Sequence, residues 1–158
     1  MASHLLGEAA AGAKYSWAIS QKNVEIVREA WDAYSRGNYD RLARLHGPDI
    51  VVVTLEDGTL AGNEDVLANY RRWNEAWESA ETSLEEVIGR GDRVFVTVRF
   101  RGRGRASGIE IETSFHEVYT LRDGKVLRIH EYEHRAEALD AARLSQDSPG
   151  GDCGLSSS

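Results

Sequence analysis

The sequence of 158 residues contains one cysteine and no long apolar run, and each shortage excludes a class of protein. Cys153 lies in a polar tail, so we expect no internal disulfide and no cysteine-based metal cage. No apolar stretch approaches the roughly 20 residues that span a bilayer. Residues 1–20 also lack the unbroken apolar segment of a signal peptide. We therefore expect a cytoplasmic protein that does not bind a membrane.

Basic residues are in the minority. The chain has 19 Lys and Arg against 26 Asp and Glu, which gives a net charge of -7. Nucleic acids and anionic membranes require clustered positive charge. The Arg-rich stretch RFRGRGR at 99–105 alternates arginine before a glycine-rich corner, a pattern typical of a solvated hairpin tip. We therefore predict no nucleic-acid partner.

The composition divides the chain into one domain and two loose ends. Residues 1–20 are rich in Ala and Gly without a clear period, and residues 145–158 are mostly Ser, Gly, Asp and Pro. Such segments bury too little apolar surface to fold, so both are predicted to be disordered. The remaining 21–144 suits a single domain with one core.

Apolar residues at helical spacing predict three main helices in this domain. The first begins near residue 21 and ends at Gly37, which suits a left-handed helix stop. The second covers 39–45. Asn63 caps the third, whose aromatic stripe extends to Trp77. A short closing helix is predicted at 136–144.

Runs of β-branched and alternating residues predict a sheet. Its strands cover 50–55, 59–61, 93–101, 109–121 and 125–133, with 83–88 as a candidate for a further strand. In 93–101 valines alternate with polar residues, so one face is apolar and the polar face points away from the core. The corner at Asp123-Gly124 predicts a tight hairpin between the last two long strands.

Three segments in this order resemble one known family: NVEIVREAWDAYSRGNYDRL, LAGNEDVLANY and HEVYTLRDGKVLRIHEYEHRAEAL. The chain resembles SnoaL-like proteins, a branch of the nuclear-transport-factor-2-like superfamily. The resemblance implies an α+β fold, a cone-shaped barrel in which a bent antiparallel sheet wraps around a pocket under three main helices. It also implies a homodimer through the outer sheet face. Members include ketosteroid isomerases, polyketide cyclases, epoxide hydrolases and dehydratases, so the fold alone does not decide the function.

Glu117 is the strongest candidate for chemistry. Alternation places its carboxyl among Phe115, Tyr119 and Leu121 on the buried face, where it needs a partner or a raised pKa. The resemblance matches it to a pocket Asp, which is a neutral hydrogen-bond donor in isomerases and an acid/base group in cyclases. Glu131 has the same inward parity, so we predict the two as a catalytic pair. A purely structural partner for Glu117 is the open alternative.

Other groups of the family are missing or misplaced. Ala30 matches the position of the oxyanion-hole Tyr in steroid isomerases, and Thr54 matches that of their Asp base. Epoxide hydrolases of this fold use an Asp-Arg-Asp set inside the pocket, whereas alternation points Arg99 and Arg101 outward. Tyr34, Trp31, Glu56 or Tyr119 are the alternatives that remain for the missing groups.

Aromatic side chains offer flat walls for an apolar or aromatic ligand. The alternative is that they simply fill the core. The residues predicted to bind ligand are Trp31, Tyr34, Thr54, Trp73, Trp77, Val98, Phe100, Phe115 and Tyr119.

The letters His130-Glu131-Tyr132-Glu133-His134 match the H-E-x-x-H motif of zinc proteases, which works only on a helix. On a strand the two histidines lie ~13 Å apart, too far to share one ion. We therefore predict no metal and no cofactor, with His130 and Tyr132 on the outer face and His134 at the junction with the last helix. His116 has outward parity too, unless a β-bulge exchanges it with Glu117. His46 precedes a turn and has no clustered partner.

These observations lead to two hypotheses. In the first, the chain is a cofactor-free acid/base enzyme of isomerase, cyclase or dehydratase type, acting on an apolar carbonyl-bearing molecule such as a polyketide or terpenoid. In the second, it is a non-catalytic dimeric module that binds a ligand or a partner, and Glu117 is structural.

Overall fold

The computed structural model describes the backbone of residues 2–144 and the side chains from residue 17 onward. The predicted tail at 145–158, with Cys153, lies outside the described residues. The elements follow in the order α1 (Ala2–Ser35), α2 (Tyr39–Leu45), β1 (His46–Val53), β2 (Thr59–Ala61), α3 (Asn63–Glu75), β3 (Trp77–Arg90), β4 (Arg93–Gly104), β5 (Glu110–Arg122), β6 (Lys125–Tyr132) and α4 (Arg135–Ala141). Four helices and one curved sheet therefore form the predicted α+β cone.

The sheet has six strands in the order β2-β1-β6-β5-β4-β3 and is not closed. β1 runs parallel to β6, and all other neighbours are antiparallel. The prediction of a fully antiparallel sheet is therefore wrong at one pair. β1 and β6 are joined through most of the chain rather than by a hairpin, so nothing local fixes their relative direction.

The β5–β6 hairpin confirms the predicted tight turn. Arg122 pairs with Lys125, and the two residues between them have positive φ angles, 52° at Asp123 and 79° at Gly124. This geometry matches the right-handed twist of the strands, and Asp-Gly adopts it at low cost. The turn therefore sets the pairs next to it, and an extra residue in β6 at Leu127 shifts the pairing by one from Thr120 onward.

The main core lies between the inner sheet face and α1. Val94, Val96 and Val98 of β4 are fully buried, and Val27 and Ala30 of α1 pack against the same cluster. Burying a valine side chain contributes ~1.5 kcal/mol or more. The apolar face predicted from the alternation in β4 is therefore the face that forms the core.

A second, smaller core covers part of the outer sheet face. Phe95 and Val118 are buried against Ala138 and Ala142, at the end of the chain that forms α4. The expectation that this face of β4 points away from any core is therefore wrong at Phe95. Arg90 and Arg93 hold α4 in place by donating to the carbonyl oxygens of Arg143 and Ala141, at 2.7 and 2.8 Å.

Several element boundaries differ from prediction. β1 begins at His46 rather than at residue 50, and β3 covers Trp77–Arg90 rather than 83–88. α1 begins at Ala2, so residues 2–20, predicted to be disordered, are helical. Its many alanines favour a helix even without an amphipathic period. Trp77 is the first residue of β3 and not part of α3, which ends at Glu75.

The start of the buried part of α1 is tied to the sheet at the β3–β4 turn. Ser20 Oγ accepts from the Gly91 amide at 2.8 Å, and the Asn23 side chain donates to the Gly91 carbonyl at 3.1 Å. Beside this contact a Cβ on Gly89 would lie 2.7 Å from Val24 and 2.9 Å from the Ser20 carbonyl oxygen. The glycine therefore permits the close approach of helix and strand.

We predict that Gly89→Ala lowers the free energy of unfolding by ~1–3 kcal/mol, because the added methyl group overlaps a helix backbone atom that cannot move alone. Gly104→Ala is the matched control, since its Cβ meets only the Ser107 hydroxyl, which can rotate away. Urea denaturation followed by circular dichroism measures both. Equal stability of the two variants would show that α1 does not pack closely at Gly89.

Candidate active site

A cavity of about 500 Å³ opens between the inner sheet face, α1, α3 and the loop after β1. Ten of the residues predicted from the sequence line it: Trp31, Tyr34, Thr54, Trp73, Trp77, Phe100, Phe115, Glu117, Tyr119 and Glu131. Val98, predicted as a ligand contact, does not line it. Val98 is fully buried between Leu84 and Phe115 on the neighbouring strands, so it belongs to the core.

Glu117 points into this cavity from the middle of β5. Its register partner on β6 is Glu131, so the two carboxyl groups are cross-strand neighbours on one face. The irregularity in this pairing adds its extra residue to β6, at Leu127, so it leaves the alternation of β5 intact and does not exchange Glu117 with His116. Only 5% of Glu117 is exposed.

Each carboxyl group of the pair accepts a hydrogen bond from a different element. The Tyr119 hydroxyl donates to Glu117 Oε1 at 2.8 Å. The backbone amide of Leu55, in the loop after β1, donates to Glu131 Oε1 at 3.0 Å. The Trp31 indole N–H also faces Glu117, although it forms no hydrogen bond of regular geometry. β1 thus reaches the site through its loop, and α1 through Trp31.

Burial is the main cause that raises the pKa of Glu117 to about 8, and repulsion by Glu131 adds to it. The donors Tyr119 and Trp31 oppose this increase. The pKa of Glu131 is also raised by burial, while the Leu55 amide and a hydrogen bond from Glu117 lower it. The two groups therefore titrate together, and the raised pKa of Glu117 favours its protonated form at neutral pH.

The tyrosines of the cavity wall are held neutral. Burial raises the pKa of Tyr34, Tyr70 and Tyr119 well above the usual value. The Tyr34 hydroxyl donates to Asn74 Oδ1 at 2.9 Å, so its proton is directed away from any ligand. Tyr34 therefore does not replace the oxyanion-hole tyrosine that Ala30 lacks.

Three aromatic rings form a cluster on one side of the cavity. Trp77 lies 5.3 Å from Trp73 and 4.8 Å from Phe100, measured between ring centroids. Trp73 is 36% exposed and lines the opening with Leu55 and Ile111, which are also exposed. We call Trp73, Trp77 and Phe100 the aromatic cluster.

His46 also lines the cavity, which the sequence did not predict. It is the first residue of β1, only 3% exposed, and its Nδ1 lies 2.9 Å from Asn63 Oδ1. Asn63 Nδ2 donates to the Ala43 carbonyl at 3.3 Å, which orients the amide and places the His46 proton on Nδ1. Burial lowers the pKa of His46, so it is a neutral acceptor at Nε2.

Thr54 lies on the cavity wall but is occupied in a turn. Its hydroxyl donates to the Gly58 carbonyl and accepts from the Asp57 amide, both at 2.8 Å. A hydroxyl is in any case a poor base at neutral pH. Thr54 therefore does not act as the base that steroid isomerases have at this position. The acid/base chemistry of the site depends on the Glu117–Glu131 pair.

The remaining candidates lie on the outer face, as predicted. His130 stacks on Tyr132 of the same strand, and His134 caps α4, so H-E-x-x-H is not on a helix. Over the described residues no group of His, Cys, Asp and Glu is arranged to hold a metal. His116 lies 2.9 Å from the Thr97 hydroxyl, and Arg99 pairs with Glu112 at 2.6 Å.

No helix in the described part of the chain is long and apolar enough to cross a membrane.

Solved structures share this fold. A candidate SnoaL-like polyketide cyclase from Jannaschia sp. CCS1 is 23% identical, with a TM-score of 0.67 over 80% of this chain and 94% of its own. A nuclear-transport-factor-2-like protein from Burkholderia xenovorans LB400 is 28% identical, with a TM-score of 0.64 over 78% and 96%. TerC, co-crystallised with polyporic acid, is 19% identical, with a TM-score of 0.64 over 77% and 98%.

No curated protein sequence matches the chain significantly. The model of the SnoaL-like domain, however, matches residues 27–129, which include the last part of α1, α2, α3, all of β1 to β5 and most of β6. The chain therefore belongs to the SnoaL-like family.

Proposed function

We propose that the chain is a cofactor-free acid/base enzyme of isomerase, cyclase or dehydratase type. Its substrate is an apolar molecule that carries a carbonyl group, such as a polyketide or terpenoid. The observation that carries this proposal is the Glu117–Glu131 pair, two neighbouring carboxyl groups with raised pKa values in the wall of a cavity of about 500 Å³. Such a volume suits a small organic ligand.

The pair contains both partners that enolisation requires. Protonated Glu117 donates its proton to the carbonyl oxygen, while ionised Glu131 removes a proton from the adjacent carbon and forms an enol. In a substrate with a double bond β,γ to the carbonyl the product is a dienol; Glu131 returns the proton to the γ-carbon, the enol oxygen gives its proton back to Glu117, and the double bond moves into conjugation. In a substrate with a second carbonyl the enol carbon attacks that group and closes a ring, while the enol proton returns to Glu117 and the new alkoxide takes the proton from Glu131. A pKa of about 8 at Glu117 lies close to neutral pH, where proton transfer in both directions is efficient.

Similar proteins support the substrate class. One relative is a candidate polyketide cyclase by name, and TerC was co-crystallised with polyporic acid. Aromatic side chains form much of the wall in the present chain, including the aromatic cluster and Trp31. Flat apolar ligands with a few polar groups fit such a wall.

The oligomeric state and the cellular compartment of the protein remain predictions. A homodimer through the outer sheet face would use the area beside α4, where His130 and Tyr132 are partly exposed. The cytoplasm is the compartment expected from the sequence. If the chain binds ligands without turnover, the non-catalytic module is the function that remains.

The proposed chemistry is testable with 2-tetralone, a bicyclic ketone with acidic protons next to its carbonyl. We expect the protein to accelerate exchange of these protons in D2O, followed by NMR. Glu117→Gln should lower the exchange rate by roughly 10²-fold or more, since general acid/base catalysis contributes that much.

Glu78→Gln is the control, because Glu78 is exposed on β3 and does not line the cavity. It should exchange at the wild-type rate. No acceleration by the wild type, or an unchanged rate in Glu117→Gln, would contradict the enzymatic function.

The protonation of Glu117 has a thermodynamic consequence. Because its pKa is raised from 4.5 to about 8 in the folded state, the folded chain keeps a proton that the unfolded chain releases as the pH rises. Its contribution to stability is therefore complete below pH ~4.5 and is lost by about pH 8. We expect the stability of Glu117→Gln relative to wild type to increase from pH 5 to pH 8, as measured by urea denaturation.

Glu78→Gln should instead follow the wild-type curve over the same range. Parallel curves for wild type and Glu117→Gln would mean that Glu117 is ionised in the folded protein.

A further inference from the structure

The cavity lining has a larger excess of acidic over basic side chains than the chain as a whole. Its lining contains five acidic residues and, among the described residues, no Lys or Arg: Glu56, Asp57, Glu117, Glu131 and Glu133. A net negative lining disfavours an anionic ligand and favours a cation.

The acidic groups are not neutralised by basic side chains of the described residues. Asp57 accepts from the Asn69 amide at 2.9 Å, and Glu131 from the Leu55 backbone, both neutral donors. Glu133 has only His134 at 3.9 Å, and both side chains are exposed. Two arginines pair with acidic residues on the outer face instead, Arg99 with Glu112 and Arg135 with Glu86.

The aromatic cluster provides the second half of a cation site. Trp73, Trp77 and Phe100 pack against one another edge-on or tilted, with centroids 4.8 to 5.6 Å apart, and all three border the cavity. The faces of indole rings attract alkylammonium groups, which lose little hydration on entering an apolar site. The wall therefore offers both electrostatic and apolar contacts to the same kind of group.

We propose that the natural ligand of this cavity carries a positively charged tertiary or quaternary amine on an apolar body. The amine lies between the aromatic cluster and the acidic residues. This inference rests on the proposed function, since it names the substrate class of the same cavity.

Three probes of one shape and different charge test the proposal. They are (4-hydroxyphenyl)trimethylammonium, its uncharged carbon analogue 4-tert-butylphenol, and 4-hydroxybenzenesulfonate. Their dissociation constants are measured at pH 7 by calorimetry and tryptophan fluorescence. We expect the cation to bind about tenfold more tightly than 4-tert-butylphenol, and the sulfonate to bind most weakly. The hydrophobic effect alone gives the opposite order for the first two probes.

Variants of cavity residues test whether the preference for the cation over its carbon analogue arises in the cavity. Glu131→Gln should abolish most of the cation preference while its affinity for 4-tert-butylphenol, which reports an intact cavity, stays at the wild-type value. Trp73→Leu should weaken binding of the cation more than that of its carbon analogue. Glu78→Gln, outside the cavity, should leave all three dissociation constants unchanged.

The outcomes separate this inference from the proposed catalysis. If 4-tert-butylphenol binds as tightly as the cation, or if no probe binds, the inference is overturned whatever the exchange of 2-tetralone shows. If the cation is preferred and Glu131→Gln removes the preference, the inference is supported, even where absent exchange contradicts catalysis.

Discussion

The rest of this structure depends on two carboxyl groups that face each other inside the cone. Glu117 and Glu131 are cross-strand neighbours on the inner face of the sheet, where neither is solvated as in water. Such a pair is stable only if a proton is shared and the remaining lone pairs find donors. Those donors come from β5 itself, through Tyr119, and from the loop after β1, through Leu55. The parallel pairing of β1 with β6 brings that loop to Glu131, so the topology and the electrostatics of the site depend on one another.

α4 covers apolar side chains on the outer face of the sheet. Phe95 and Val118 would be exposed on a bare sheet, and α4 buries them with Ala138 and Ala142. Arg135, the first residue of α4, pairs with Glu86, which in turn accepts from Thr97 on β4. These contacts stabilise the strands that carry the site on their outer face. The inner face can therefore contain a cavity without being fully packed.

Strand alternation made the central prediction possible. Side chains repeat with a period of two within each strand, so the inward positions of Glu117 on β5 and Glu131 on β6 follow from local sequence. Their direct pairing does not, because the Asp-Gly turn alone would place His130 opposite Glu117, and an extra residue in β6 at Leu127 shifts the pairing by one. Other features depend on contacts that no local pattern contains. His46 acquires its role from Asn63, 17 residues away, and Val98 is covered by Leu84 and Phe115 from neighbouring strands. Trp77 continued a helical stripe in the sequence, yet it begins β3, where its ring still meets Trp73 and Phe100.

Because the chain lacks two catalytic groups of the steroid isomerases, the proposed chemistry depends on the Glu117–Glu131 pair alone. Ala30 offers no hydroxyl, Thr54 is occupied by its own turn, and Tyr34 donates to Asn74. In the proposed function, the general acid and the general base must therefore be the two members of a single proton-sharing pair. A pair of this kind cannot hold both groups in their active states independently, since ionisation of Glu117 raises the pKa of Glu131 and the reverse. A positively charged ligand would weaken this coupling by stabilising both ionised forms, so ligand charge and proton transfer would then be linked through the same two side chains.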